Sequence, residues 1–390
     1  MSVKKVCVVT ATRAEYGLLK PVIDRVYKSE ELALQLIVTG MHLSTEFGLT
    51  YKEIEEDGYP ITAKIEMLLG SDTPAGITKS MGVELIGFAD CFAVYRPDIV
   101  VILGDRYEML MVAASAMVAG IPIAHIHGGE LTEGIIDDPI RHSITKMSYL
   151  HFTATEKYRR RVIQLGEMPQ RVYNVGALGV ECIKEVKLLN REELEETLDF
   201  RFQFPTILVT YHPVSQEAIS CHRQFQDILD CIDRHKEISV IFTKANADVD
   251  GRVINEMIDN YVSVNRDRCR VYTSLGQLKY LSTLQFCDAV VGNSSSGIAE
   301  VPSYKIPTVN IGNRQKGRIY AESVINCPND SGRIEEALMK ALSSEFRNRI
   351  ANVTNPYEGE RTSERIVETI RREVCQGMDV KKDFYDLKVD

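Results

Sequence analysis

The chain reads as an α/β protein made of two similar domains, each a parallel sheet covered by helices on both faces. Three observations predict this. Short apolar, β-branched runs recur along the chain and alternate with helix-like stretches, the pattern of strands buried on both faces. The rhythm breaks once, at a charged stretch over residues 184–199, and then resumes. The length of 390 residues suffices for two domains of ordinary size.

Taken in order, Val6–Thr10 is the first strand, followed by TRAEYG and an amphipathic stretch over Leu18–Tyr27. Leu34–Thr39 repeats the pattern, with MHLSTEFG and a helix near Tyr51–Glu56 behind it. A longer helix spans Ile77–Tyr95. Ile99–Leu103, Ile121–His125, Leu150–Thr153 and Val172–Val175 continue the first sheet. The charged break, LLNREELEETLDF, is helix-like, with Asn190 placed to cap it. Beyond Phe204-Pro205 the strand candidates are Thr206–Tyr211, Ser239–Thr243, Arg270–Tyr272, Ala289–Gly292 and Thr308–Ile311. Thr362–Cys375 is an amphipathic helix, and the polar tail Lys381–Asp390 is expected to be loosely held.

Composition narrows the function classes. Hydrophobic residues at 44% and charged residues at 26% fit a soluble globular protein. A net charge of −9 argues against a general nucleic-acid binder but leaves room for a local anion site. The nine cysteines are scattered without a C-x-x-C pair, so neither a zinc site nor a disulfide framework is expected, and a reducing cytoplasm fits best. MSVKKVCVVT runs straight into a strand, and no apolar run is long enough to span a bilayer, so neither export nor membrane insertion is expected.

The chemistry gathers at strand ends. PDIVVILGDRYE, IPIAHIHGGE and IDDPIRHSITK place Asp105, Glu108, His127, Glu130, Asp137 and Asp138 just after strands or at a helix start. In a parallel sheet the carboxyl ends of the strands share one edge, where ligands bind. Arg106, Arg141 and His142 stand among these groups and suggest an anionic ligand. A second motif, DAVVGNSSSGIAEV followed by NIGNRQKGR, ends a strand in small hydroxyl residues that open a helix, a seat for phosphate. Glu300 is placed to accept from a ribose hydroxyl, with Arg314 and Arg318 at the same edge. Arg13 and His212 follow two further strands.

Each feature has a plainer reading. GNSSSG also suits a capped helix start, and Asp105 could cap a helix with Arg106 and Glu108 in a local ion pair. At least one of Asp137 and Asp138, ahead of Pro139 at the first helical position, is expected to cap. His42, His127 and His212 each follow a strand, where a lone histidine is commonly structural. Tyr158-Arg159-Arg160-Arg161 reads as a solvated helix face.

The ordered set TATRAEYG, VTGMH, LGDRYE, HIHGGE, DDPIRHSITK, YHPVS, GNSSSGIAEV and NIGNRQKGR resembles the hydrolysing UDP-N-acetylglucosamine 2-epimerases of sialic and related nonulosonic acid biosynthesis, up to about residue 320. The resemblance implies the GT-B fold, two Rossmann-like domains facing a central cleft. It divides the chain into residues 1–183, completed by a helix over 362–380, and residues 184–361. It implies elimination of UDP from the sugar to a 2-acetamidoglucal, then hydration to free N-acetylmannosamine.

Asp105 and Asp137 carry over as acid/base carboxylates, with His127, Glu130 and His212 as further catalytic candidates. Arg13, His212, Ser294, Ser295, Glu300 and Arg314 carry over to the UDP site. Gly17, His42, Arg106, Arg141, Asn246, Ser274, Asn293 and Gly297 complete the substrate-binding set. A UDP-sugar is the implied partner and a homodimer or homotetramer the implied assembly, with no cofactor and no metal.

Many members read EGGE where this chain reads HGGE. His127 then takes the acid/base role, or Glu130 serves, or the substrate differs. UDP-N,N′-diacetylbacillosamine, a 4-acetamido-6-deoxy sugar, is the alternative substrate. A non-hydrolysing 2-epimerase is disfavoured because its relatives usually carry QGDT and EAGLR-type motifs. A GT-B glycosyltransferase would not need so many carboxylates, and a catalytically silent nucleotide-sugar binder would not need Asp105 and Asp137.

Overall fold

A computed structural model describes residues 3–132, 136–214, 220–245 and 251–387. Chain contacts divide it into two units. Met1–Glu130, Ile136–Cys182 and Tyr357–Asp390 make up one, and Ile183–Pro356 forms the body of the other.

Among the described residues the first unit holds seven parallel strands: β1 (Lys4–Thr10), β2 (Leu32–Thr39), β3 (Ile61–Ile65), β4 (Ile99–Leu103), β5 (Ile123–Ile126), β6 (Leu150–Thr153) and β7 (Val172–Asn174). Their order is β3-β2-β1-β4-β5-β6-β7. Strand β1 sets Val6 opposite Leu34 on one side and opposite Ile99 on the other. Side chains alternate across it, as strand geometry requires. Val6 and Val8 enter one apolar cluster with Leu19, Ile23 and Ile366, and Cys7 and Val9 enter another with Phe88, Met109 and Val112. Both faces are thus buried, which is why the strands read as unbroken apolar runs. The helix Thr362–Gln376 supplies Ile366, Val367, Ile370 and Val374 to the first of these clusters.

The second unit holds six parallel strands among the described residues: β8 (Thr206–Thr210), β9 (Ser239–Thr243), β10 (Cys269–Tyr272), β11 (Ala289–Gly292), β12 (Thr308–Ile311) and β13 (Val324–Cys327), in the order β10-β9-β8-β11-β12-β13. Each sheet reverses its winding once, between β1 and β4 and between β8 and β11. Such a switch point leaves a crevice at the carboxyl ends of the two strands, where α/β sheets take their ligands. Thr12-Arg13 and Gly104-Asp105 flank the first switch, and His212 and Asn293 flank the second.

The expected fold class, two Rossmann-like domains with parallel sheets, is met, with several local differences. The first helix begins at Arg13 instead of Leu18, because Thr12 and Glu15 form a capping box. The strands β3 and β13 were not foreseen. Both lie at sheet edges, and β3 is only partly buried, so neither carries a continuous apolar run. The segment 377–387 is pinned, not loose. Lys382 Nζ reaches the carbonyls of Lys146 and Ser148 at 2.9 and 2.6 Å and the Glu167 carboxylate at 2.6 Å, while the Tyr385 amide donates to Gly166 at 3.0 Å. Among the described residues, no helix is long and apolar enough to cross a membrane.

Candidate functional site

In the first unit, Arg141 is the centre of the acidic array. It lies on the helix Asp137–Met147 and is 1% exposed. Its Nη2 donates to the Asp105 carboxylate that follows β4. Its Nη1 donates to the Glu130 carbonyl at 3.0 Å and to Asp138 at 3.3 Å. One guanidinium therefore joins three segments, a geometry its planar fork of donors allows. Arg106, not Asp105, holds the cap position of the next helix. Asp138 turns to Arg141 and to His142 (3.6 Å), and the helix starts at Asp137 behind Ile136, so the expected aspartate cap is not formed. Asp137 is half-buried as the first helical residue.

The HGGE turn is tightly built. His127 adopts a left-handed backbone with φ +67°, and its Nδ1 lies 3.9 Å from the buried Glu130 carboxylate. Gly129 has φ +80°, and a Cβ there would sit 2.5 Å from the Tyr158 carbonyl, so only glycine fits. Arg161 donates to the Gly129 carbonyl, and Tyr158 is fully buried against Tyr357, with 2.8 Å between hydroxyls. The run Tyr158–Arg161 is thus not a solvated face; of these four, Arg160 is the one that stands in solvent.

This unit also holds a buried carboxyl cluster of Glu15, Glu84 and Glu108, of which only Glu108 stands in the strand-end motifs. Arg106 grips the buried Glu108 through Nε at 3.1 Å and Nη2 at 3.0 Å, the local ion pair foreseen as one possibility. Glu15 and Glu84 are buried within electrostatic reach of Glu108. Burial first, and the Glu108 charge second, raise Glu15 to about 7 and lift Glu84 well above the usual carboxyl range. The T-x-x-E pattern of TRAE was the available signal for Glu15.

Two of the expected substrate-binding residues in this unit are buried among protein partners. His42 is fully buried, with Nε2 3.1 Å from the Thr10 hydroxyl and Nδ1 2.8 Å from that of Thr50, and burial lowers it to about 4. Gly17 is buried one turn into the first helix. Arg13 pairs with Glu53.

In the second unit, Asn293 locks the switch point. Its Oδ1 accepts from the His212 amide at 2.7 Å and its Nδ2 donates to the His212 carbonyl at 2.8 Å. Its own carbonyl accepts from Arg314 at 3.2 Å and from Gln315, which the sequence reading also missed, at 2.8 Å. Asn293 is fully buried. The helix opened by the serines is a single turn, Ser296–Ala299; its cap residue Ser295 makes no side-chain cap bond, and the Ser294 hydroxyl accepts from the Ser296 amide at 3.4 Å. The expected helix dipole is therefore small, and Ser294 and Ser295 offer hydroxyls and backbone amides in its place.

Gly297 is glycine for packing, since a Cβ would meet the Thr308 methyl at 2.8 Å. Glu300 follows the turn and, after burial itself, is the next cause raising the Tyr280 and Tyr304 hydroxyls. Tyr280 in turn bonds Ser296. Ser274 is exposed beyond β10 and accepts from Gly276 at 3.3 Å. Asn246 lies outside the described residues.

Two all-parallel Rossmann-like units, each with its polar side chains gathered at a switch point, define the GT-B class of nucleotide-sugar enzymes. The family model described as UDP-N-acetylglucosamine 2-epimerase matches residues 24–371, and the chain belongs to that family. A Campylobacter jejuni protein named GDP/UDP-N,N′-diacetylbacillosamine 2-epimerase (hydrolyzing) is 43% identical over 387 residues, spanning 99% of this chain and 100% of that protein. A Legionella pneumophila protein named UDP-N,N′-diacetylbacillosamine 2-epimerase (hydrolyzing) is 34% identical over 369 residues, spanning 95% and 96%. The solved structure of a Neisseria meningitidis UDP-GlcNAc 2-epimerase, bound to UDP-GlcNAc, has a TM-score of 0.80 at 17% identity, covering 95% of this chain and 100% of that one; it shares the fold.

Proposed function

We propose that this enzyme is a hydrolysing 2-epimerase acting on nucleoside-diphosphate-activated N,N′-diacetylbacillosamine. The carrying observation is the 43% identity, over 387 residues, with the Campylobacter jejuni protein named for that sugar and for hydrolysis. The motifs alone do not decide between UDP-N-acetylglucosamine, the first reading, and the alternative; the names of these relatives support the alternative.

In this reading the C1–O bond to the diphosphate breaks as the C2 proton passes to a base, leaving the nucleoside diphosphate and a glucal. Water then adds oxygen at C1 and a proton at C2 from the opposite face, releasing free sugar inverted at C2. Asp105 and Asp137 exchange these protons, with His127 or Glu130 serving the second face. A base in reach contributes about 10²–10⁴-fold. The C2 proton is weakly acidic, so carboxylates that stabilise an oxocarbenium-like transition state do much of the activation. His212, Ser294, Ser295 and Arg314 take the growing charge of the leaving diphosphate, and Glu300 takes the ribose hydroxyls.

The test is incubation in D₂O with the nucleoside-diphosphate N,N′-diacetylbacillosamine and, separately, with UDP-N-acetylglucosamine. The expected result is free nucleoside diphosphate and a free, C2-deuterated, manno-configured sugar from the first. Deuterium in a sugar still attached to nucleotide refutes hydrolysis. Faster release from UDP-N-acetylglucosamine refutes the substrate assignment, and turnover of neither refutes the reading.

A further inference from the structure

We infer that His125 is a positioning residue, one that sets the Asp105 carboxylate and the Arg141 helix in register through its two ring nitrogens. The residue lies near the end of β5 and is fully buried. Its Nε2 lies 2.7 Å from the carbonyl of Gly104, the residue immediately before Asp105. Its Nδ1 lies 3.2 Å from the hydroxyl of Thr145, one turn beyond Arg141 on the same helix.

The proton inventory fixes the tautomer. A carbonyl only accepts, so Nε2 carries the hydrogen and donates to Gly104. Burial, as the leading cause, lowers the ring to about 3, so it stays neutral and Nδ1 is an acceptor. The Thr145 hydroxyl proton then lies between two acceptors, His125 Nδ1 at 3.2 Å and the Arg141 carbonyl at 3.0 Å. The ring is a fixed link between two segments, not a group that exchanges protons with a substrate.

A third segment closes over this link. A Cβ on Gly128 would lie 3.1 Å from both His125 Nδ1 and Thr145 Oγ1, so the turn that carries His127 and Glu130 rests directly on the pair. One buried side chain thus touches each of the three segments that bring Asp105, Arg141 and His127 together. Gly104 itself has φ +79° and no Cβ to restrict its backbone; its amide donates to the Ile126 carbonyl at 3.0 Å, and His125 holds its carbonyl on the other side.

The role in turnover rests on the functional reading above; the geometric role does not. Three variants test both. His125→Phe removes the donor, His125→Gln keeps a donor near the Nε2 position, and Thr145→Val frees Nδ1 without altering the ring. With the sugar nucleotide that the wild type turns over, His125→Phe is expected to lower kcat about 100-fold with KM within about twofold, since an ångström-scale misplacement of a catalytic group has that effect. His125→Gln is expected to recover most of the loss, and Thr145→Val to fall between. Equal losses in Phe and Gln, or a loss confined to KM, overturn the proposal.

A readout independent of turnover is the side-chain Nη–H resonance of Arg141 by NMR, protected by its ion pair with Asp105. It is expected to lose protection in His125→Phe and keep it in His125→Gln. Unchanged protection in the folded Phe variant overturns the positioning role. Wild-type enzyme that turns over neither sugar refutes the functional reading, and the resonance still decides this one.

Discussion

Arg141 and Asp105, 36 positions apart in the chain, form an ion pair at the carboxyl edge of the first sheet, with the guanidinium buried and the carboxylate side chain 22% exposed. The same guanidinium holds the Glu130 carbonyl and Asp138, so the acid, the turn and the helix start are set by one side chain. This arrangement separates the two partners experimentally. Asp105→Asn keeps an acceptor for Arg141 and is expected to lower kcat by about 10²–10⁴-fold, with UDP affinity unchanged in calorimetry. Arg141→Met leaves carboxylates without their cation and is expected to cost about 3 kcal/mol in unfolding free energy, the low end for a broken buried pair because Asp105 retains some solvent. Arg141→Lys is not expected to rescue, because one ammonium cannot serve three segments with fork geometry.

Glu15 yields a prediction of opposite sign to most carboxylates. Burial, then the Glu108 charge, raise it from 4.5 to about 7, against the opposing pull of Arg106 and the amides of Ala11 and Thr12. The folded state therefore binds the proton more tightly than the unfolded chain. Its contribution is fully present below about pH 4.5 and is lost as pH rises through about 7. Glu15→Gln keeps an acceptor for those amides without the charge. Thermal melts are expected to coincide near pH 4.5 and to diverge in favour of the variant by pH 8, on the order of 3 kcal/mol from the size of the shift. A gap that does not change with pH would sink the assignment.

Much of this was legible in the residues, and the misses share a physical cause. Strands such as β1 and β4 announce themselves because both faces are buried, whereas β3 lies at an edge and carries an exposed lysine. Asp105 and Asp137 could be placed at strand and helix ends, but their partners could not, since Arg141 meets Asp105 only in the fold. Asn293, Gly297 and His42 read as ligand groups because polar residues and glycines near strand ends serve both packing and binding. Their burial is encoded by no local pattern and shows only in the fold. The tail read as loose from its charge, yet Lys382 and Phe384 dock through an ammonium and a ring.

Asn293 tests how the second switch point is held. Its side chain exchanges two hydrogen bonds with the His212 backbone, joining the ends of β8 and β11. Asn293→Ala removes both hydrogen bonds to the buried His212 backbone and is expected to weaken UDP binding about 5- to 150-fold, the equivalent of about 1–3 kcal/mol. Asn293→Asp restores the acceptor but sets a carboxylate against the His212 carbonyl, so it is not expected to recover. Isothermal titration with UDP distinguishes these outcomes, and binding by Asn293→Ala at wild-type strength would show that the lock is dispensable.

Glu167 provides the last test, at the place where the tail meets the first unit. Burial alone would raise it, but hydrogen bonds from His151, Lys146 and Lys382 outweigh that and lower it to about 2. Two lysines, at 2.6 Å each, supply the compensating charge, while His151 is itself held toward its neutral form by burial. A depressed carboxyl contributes stability above its unfolded value of 4.5, and that stability is lost as pH falls from there toward about 2. Truncation after Gly377 removes Lys382 and the Phe384 ring that packs on Gly166. It strips one of two cations from a buried carboxylate, so the truncated chain is expected to melt lower at pH 7 and to lose less on acidification. Lys382→Met in the full chain separates the charge from the packing: it removes the ammonium and leaves Phe384 and the Tyr385 amide in place. If Lys382→Met follows the wild-type acid profile between pH 4.5 and 2, the tail holds by packing alone and the charge assignment fails.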